Sequence, residues 1–245
     1  MTIAMLAVDG LPEIRPGDDL GALVAGSAPD LRGGDVVVVA QKAVSKAEGR
    51  LRDLSTVRVS PRAEQLASRL GSDPRMVQVV LDESVRIVRD DRVLIVETPQ
   101  GFVCANGGVD RSNLDGKDIV SLLPLDCDRS AHRLQARIAE VTGADVAVII
   151  SDTFGRPWRL GLVNVALGVA GVPALVDHRG RNDDAGKPLR ATLVALADEI
   201  AAAAGLVMGK TRRVPAVVVR GLEPRDTRSG SGRDLIRPRE LDLFP

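Results

Sequence analysis

The chain has 245 residues, with 33 Lys plus Arg against 33 Asp plus Glu, so its formal net charge is zero. That length can carry a large core, and that charge balance excludes the basic footprint of a nucleic-acid binder. No window approaches ~18 uninterrupted apolar residues, which excludes a helical membrane span, and the pair Cys104 and Cys127 makes neither a disulfide framework nor a zinc cluster. A reduced, cytoplasmic setting is expected.

In chain order, Met1 to Asp9 lacks a basic start and a small-residue cleavage site and reads as a first strand rather than a signal peptide. Leu11-Pro12-Glu13-Ile14 reads as a turn. Gly33-Gly34-Asp35 introduces a fully buried strand at Val36 to Val39, which runs out into an expected loop, Ala40 to Arg50. Ser60 as N-cap and Pro61 at the first helical position start a helix that Gly71 closes, and Asp73-Pro74 starts another. Ser84 to Arg89 and Arg92 to Glu97 alternate polar and apolar residues. The second of these turns at Pro99-Gln100-Gly101 into Phe102 to Ala105, a predicted hairpin.

Leu134, Ile138 and Val141 fall at helical spacing within Ala131 to Val141, and Gly143 is the stop signal. A buried strand, Asp145 to Ile150, follows and is expected to end at Ser151. Leu193 to Leu206 predicts an Ala-rich helix and Pro215 to Arg220 a short strand. The charged, Gly/Ser-rich tail Glu223 to Gly232 precedes Leu235-Ile236 and Leu243-Phe244, which are expected to dock back onto the body. Neither a repeat nor a clear linker interrupts the chain. Hairpins mixed with helices argue α+β rather than a regular βαβ winding.

The chemistry concentrates where predicted strands end. Asp152-Thr153 follows one such run and leads into Gly155-Arg156, and Asp110-Arg111-Ser112-Asn113 follows Asn106-Gly107-Gly108 after another. One aspartate after a strand usually caps a turn. Two of them beside Arg111, Asn113, Thr153 and Arg156 suggest instead a hard divalent cation bridging to phosphate, since Mg²⁺ favours one or two carboxylates plus substrate oxygens. Lys46, after the Val36 strand, reads either as half of a surface pair with Glu48 or as a charge neutralising a phosphate. His132 reads as structural, and His178 lies in a charged loop.

Ala204 to Thr211 is a relaxed match to a phosphate-binding loop, ending Gly209-Lys210-Thr211. That loop needs a strand before it and a helix after it. Here a helix precedes and a strand follows, so a P-loop phosphotransferase is a rival reading rather than the preferred one. A second rival is a non-catalytic nucleotide- and metal-binding module.

Gly10 to Ile14, Val44-Ser45-Lys46-Ala47-Glu48-Gly49, Gly108 to Asn113 and Ser151 to Arg156 resemble, in the same order, blocks of the coenzyme F-420:L-glutamate ligase family. Asp198 to Ala201 and Pro215 to Gly221 are similar to further blocks, so the resemblance covers nearly the whole chain. It implies one ligase unit over residues 1–245, with room for two interleaved subdomains, in a family-specific mixed fold that is neither Rossmann nor P-loop. The end of the chain looks like the ligase half of the actinobacterial two-domain version, without the nitroreductase-like domain that follows there. The implied activity is GTP-dependent addition of L-glutamate to the coenzyme F-420 precursor, with further γ-linked glutamates, through an acyl phosphate.

The resemblance also implies roles for particular residues. Asp110, Asp152 and Lys46 would be catalytic, and Asp110, Asp152 and Thr153 would hold Mg²⁺ or Mn²⁺, with K⁺ as a further candidate. Leu11, Pro12, Glu13, Ile14, Gln41, Lys46, Asn113, Met208, Gly209 and Lys210 would line the nucleotide site. Gln41 stands where some members have Ser, and Lys210 where others have Gln or Glu, which bears on how a second metal is held. The implied assembly is a homodimer, with the cleft near the subunit interface.

Overall fold

The computed structural model describes residues 2–28, 30–111, 118–222 and 230–242. Its elements run β1 (Ala4–Ala7), α1 (Leu20–Ser27), β2 (Val36–Ala40), α2 (Gln41–Ala47), β3 (Leu51–Asp53), α3 (Pro61–Leu70), α4 (Pro74–Asp82), β4 (Arg86–Arg89), β5 (Ile95–Glu97) and β6 (Val103–Ala105). They continue with β7 (Ile119–Ser121), α5 (Cys127–Thr142), β8 (Ala147–Arg156), β9 (Arg159–Ala170), β10 (Val176–Asp177), β11 (Leu193–Val194), α6 (Leu196–Met208) and β12 (Ala216–Arg220).

The central sheet has the order β1-β12-β2-β8-β9 and is mixed. β2 and β8 are parallel, whereas the β1–β12, β12–β2 and β8–β9 pairs are antiparallel. This is the expected mixture of α and β. Both faces of the sheet are covered, so its middle strands are continuous apolar runs rather than alternating ones. Val37, Val39, Val148, Ile150 and Val218 point to one face and pack against Val24 of α1, Val44 of α2 and Leu134 and Ile138 of α5. Val36, Val38, Ile149, Val217 and Val219 point to the other, against Leu196, Ile200, Ala204 and Met208 of α6. A further cluster, outside this sheet, joins Leu66 of α3, Val77 and Val80 of α4, Val96 of β5 and Val120 of β7.

The caps of α3 and α4 are as read: the Ser60 and Asp73 side chains accept from Ala63 and Arg75 amides, each with Pro at the helix start, and Gly71 closes α3 in the left-handed region. The β4–β5–β6 meander contains the predicted hairpin. Other expectations need correction. The stretch after β2 is not a loop but helix α2, because Ala43, Val44 and Ser45 are buried there and draw the chain into a turn of helix against the sheet. The strand ending expected at Ser151 does not occur. β2 stops pairing with β8 at Ser151, but β8 continues to Arg156 because β9, which sequence reading missed, pairs with it the whole way. Leu193–Val194 is a short strand paired with β10, so the last long helix begins at Leu196. α1 was also missed, although Asp19 caps it by accepting from the Ala22 amide at 3.0 Å. Ile236 packs against the Phe102 and Leu123 cluster, as the docking of the tail requires, while Leu243 and Phe244 lie outside the described residues.

Candidate active site

The parallel pair β2–β8 defines the place. Ala40 and Ser151 are aligned neighbours, so both strands deliver their following residues, Gln41-Lys42 and Asp152-Thr153, to the same end of the sheet. Carboxyl ends of parallel strands are where ligand sites collect in α/β sheets.

Asp110 reaches this end from the other core. Asn106, Gly107 and Gly108 all have positive φ, at 53°, 58° and 71°, a run that only glycine adopts readily at two successive positions. A Cβ on Gly108 would also meet the Leu123 side chain. The turn brings Asp110 alongside β7, where its amide donates to the Ser121 carbonyl at 3.1 Å and its own carbonyl accepts from the Ser121 amide at 2.9 Å. The Asp110 carboxylate then accepts from Lys42 Nζ at 2.5 Å.

Asp152 is the more enclosed acid. Burial pushes its carboxyl above the usual carboxylate range; the Thr153 amide and the charges of Lys210 and Lys42 pull it back, and the neighbouring Asp110 pushes it up again. Its Oδ1 accepts from the Thr153 amide at 2.7 Å. Lys210, on the turn after α6, donates from Nζ to Thr153 Oγ1 at 2.5 Å. Asp110, Asp152, Thr153 and Lys210, scattered over a hundred residues of sequence, thus meet, with Lys42 as a fifth member that sequence reading missed.

A cleft of about 360 Å³ is lined by Glu13, Ile14, Arg15, Lys46, Asp53 and Ile119 among others. That volume falls within the usual range for small-molecule sites. Lys46 forms an ion pair with Glu13, and Arg213 approaches the same carboxylate at 3.7 Å. Lys42 and Lys46 are four residues apart on α2 and therefore share a helix face. One short helix thus serves both the carboxylate pair and the cleft. The turn after α6 does the same from the other side, through Lys210 on Thr153 and Arg213 on Glu13.

The remaining candidates divide. Leu11 packs against the core, and Pro12 is exposed. Gln41 is turned inward, its Nε2 donating to Ser45 Oγ at 2.5 Å and to the Leu122 carbonyl at 3.2 Å. Met208 is buried at the end of α6, and Gly209 (φ 57°) ends that helix. Asn113 lies outside the described residues. Around Gly209-Lys210-Thr211 the order is helix, turn, strand, and the lysine faces Thr153, which is not how a phosphate-binding loop is presented. His132 Nδ1 donates to the Asp128 carbonyl at 2.8 Å, within α5, as a structural residue would.

Asp110, Asp152 and Thr153 offer only oxygen, which suits a hard cation. A carboxylate raised by burial is also one that a cation would relieve. Among the described residues no group of three or more His, Cys, Asp or Glu side chains that could hold a metal ion comes together.

Two acids and two lysines, Asp110 with Lys42 and Asp152-Thr153 with Lys210, thus gather at one end of a mixed sheet. A family model described as F-420-0:gamma-glutamyl ligase matches residues 10–221. The chain is 46% identical to the coenzyme F-420:L-glutamate ligase of Methanothermobacter thermautotrophicus, covering all of this chain and 99% of that relative. It is 48% identical to that of Methanopyrus kandleri over 95% of this chain and 93% of the relative, and 49% identical to that of Halobacterium salinarum over 89% and 86%. The chain belongs to the F-420-0:gamma-glutamyl ligase family. No described helix is long and apolar enough to cross a membrane.

Proposed function

We propose that this protein joins L-glutamate to the carboxylate of a coenzyme F-420 precursor at the expense of GTP, by way of an acyl phosphate. The observation that carries the reading is the face of α2, where Lys42 meets Asp110 and Lys46 lies four residues on in the cleft. A nucleotide lying in that cleft would have its phosphates directed at the Asp110 and Asp152 end.

The chemistry needs little else from the protein. An acceptor carboxylate oxygen attacks the γ-phosphorus and GDP leaves; the glutamate amine then attacks the acyl carbon and inorganic phosphate leaves. Each step moves negative charge between phosphate and carboxylate oxygens, so catalysis rests on position and charge neutralisation. Lys46 would hold phosphate from the cleft side, displacing Glu13. Lys42 would hold the Asp110 carboxylate in place, and Lys210 would add a positive charge beside Asp152. Asp110 and Asp152 would hold Mg²⁺ or Mn²⁺, which supplies phosphate-charge neutralisation when bound. No nucleophilic Ser or Cys is called for, and the burial-raised thiols of Cys104 and Cys127, both pushed up to about 12, are poor nucleophiles.

A homodimer fits the surface. Leu160 is fully exposed, and Trp158, Leu162 and Leu206 are also exposed, on the arm formed by β8 and β9 and on the neighbouring end of α6. Exposed apolar groups gathered in one region commonly mark an association site, and a second copy of this chain is the proposed occupant.

The test is phosphate release from GTP and Mg²⁺, with acceptor and glutamate supplied singly and together. Release that needs both supports a ligase. Release without either would favour a plain GTPase, and GTP binding with no release under any combination would favour the non-catalytic module.

A further inference from the structure

Thr153 is expected among the metal ligands, yet its Oγ1 is where Lys210 places its ammonium, at 2.5 Å. Thr153 directly follows Asp152, so Lys210 brings its ammonium beside that acid as well. Lys42 rests on Asp110 at 2.5 Å. Each of the two acids therefore has an ammonium as neighbour, and among the described residues no third Asp, Glu, His or Cys joins them. Gly209, at φ 57°, ends α6 and turns the chain so that the next residue reaches Thr153.

Phosphoryl-transfer sites can hold two divalent ions about 3.5–4 Å apart. Such a pair needs several anionic ligands to offset the repulsion between the ions. Here two carboxylates already face two fixed ammonium groups, so a second dication would enter against uncompensated positive charge. We propose that Lys210 is a built-in cation standing in for a second metal: each chain binds one divalent ion, between Asp110 and Asp152, while Lys210 keeps Thr153 out of its coordination shell. This rests on the reading of Asp110 and Asp152 as the metal pair. A lysine in this position also makes part of the charge neutralisation independent of metal supply.

The test is a titration of the full chain with Mn²⁺ alone, following free Mn²⁺ by electron paramagnetic resonance. Wild type should bind one Mn²⁺ per chain. Lys210→Glu, which removes the ammonium and adds a carboxylate, should bind two, with signal broadening from their proximity. Lys210→Gln should bind a second Mn²⁺ more weakly than Lys210→Glu does, and it carries the test if melting curves show Lys210→Glu to be unfolded. Two Mn²⁺ on wild type, or one on every folded variant, would overturn the role of Lys210 alone. A wild-type chain that binds none would remove the Asp110–Asp152 metal pair, and this inference with it.

Discussion

Replacing Asp35 by Asn should destabilise the fold without touching the chemistry. Asp35 precedes β2 and is only 2% exposed. Its carboxylate accepts from Arg220 Nε at 2.8 Å, from Arg220 Nη2 at 2.7 Å and from the Arg32 amide at 2.9 Å. Burial alone would raise this carboxyl; the Arg220 guanidinium and the Arg32 amide outweigh it and hold the group below its usual range. Breaking a buried pair from one side costs about 3–5 kcal/mol. Arg220 retains some solvent contact and its bond to the Asp30 carbonyl, so the expected loss is nearer ~2–4 kcal/mol. For a chain of this size that is roughly a 4–16 °C fall in Tm.

The pH dependence follows from the sign of the shift. A carboxyl lowered by folding contributes stability above its unfolded value near ~4 and loses it as pH falls through the folded value. The Tm gap between wild type and Asp35→Asn should therefore be full at neutral pH and close in acid. Scanning calorimetry across that range is the assay. β2 spans about 17 Å from this pair to the site, so kcat and KM below the melting range should match wild type. Equal melting at neutral pH, or a gap that widens on acidification, would refute the reasoning.

Asp110→Asn and Asp152→Asn should each stay folded and lose at least ~10²-fold in kcat, the scale seen when one pre-organised charge-stabilising group is removed; wild-type turnover in the double variant would contradict the metal assignment. Lys46→Met should melt normally and weaken GTP affinity in calorimetry, and unchanged affinity with unchanged kinetics would return Lys46 to the surface. Thr211→Ala should be nearly silent in steady-state kinetics; an inactive but folded protein would revive the P-loop reading. Leu160→Asp should weaken self-association by ~10–100-fold, from a side-chain burial worth about 1.5–3 kcal/mol. Light scattering reads this, and a wild-type chain that is monomeric at micromolar concentration would remove the dimer.

Much of this candidate site was legible because its acids follow apolar runs, although β8 itself continues through Asp152 to Arg156. Asp110 and Asp152 stood out as acids after apolar runs, and Gly107 and Gly108 before Asp110 both take positive φ in the turn that places it. The block Ser45 to Arg50 was recognisable but not divisible by sequence. Ser45 Oγ donates to the Leu122 carbonyl, Glu48 accepts from Ser130 Oγ of α5 and Arg50 donates to the Leu123 carbonyl, so these residues fasten α2 and its end to α5 and to the chain after β7, while Lys46 lines the cleft. Lys42 was missed because its partner is 68 positions away, although its spacing of four from Lys46 was the available clue once α2 is known to be helical. β9 was missed because its first half, Arg159 to Val165, lies exposed or half-buried and lacks a core pattern; only pairing with β8 makes it a strand. Gln41, a position carried over by resemblance, turns its side chain into the protein.

The central claim is amide formation on a deazaflavin acceptor, and mass spectrometry of the product tests it most directly. Protein, GTP, Mg²⁺, L-glutamate and the coenzyme F-420 precursor should yield acceptor heavier by one glutamyl residue, or by a ladder of them, with one GDP formed per residue added. Acceptor of unchanged mass after GTP has been consumed, or glutamylation that proceeds equally well without nucleotide, would contradict it.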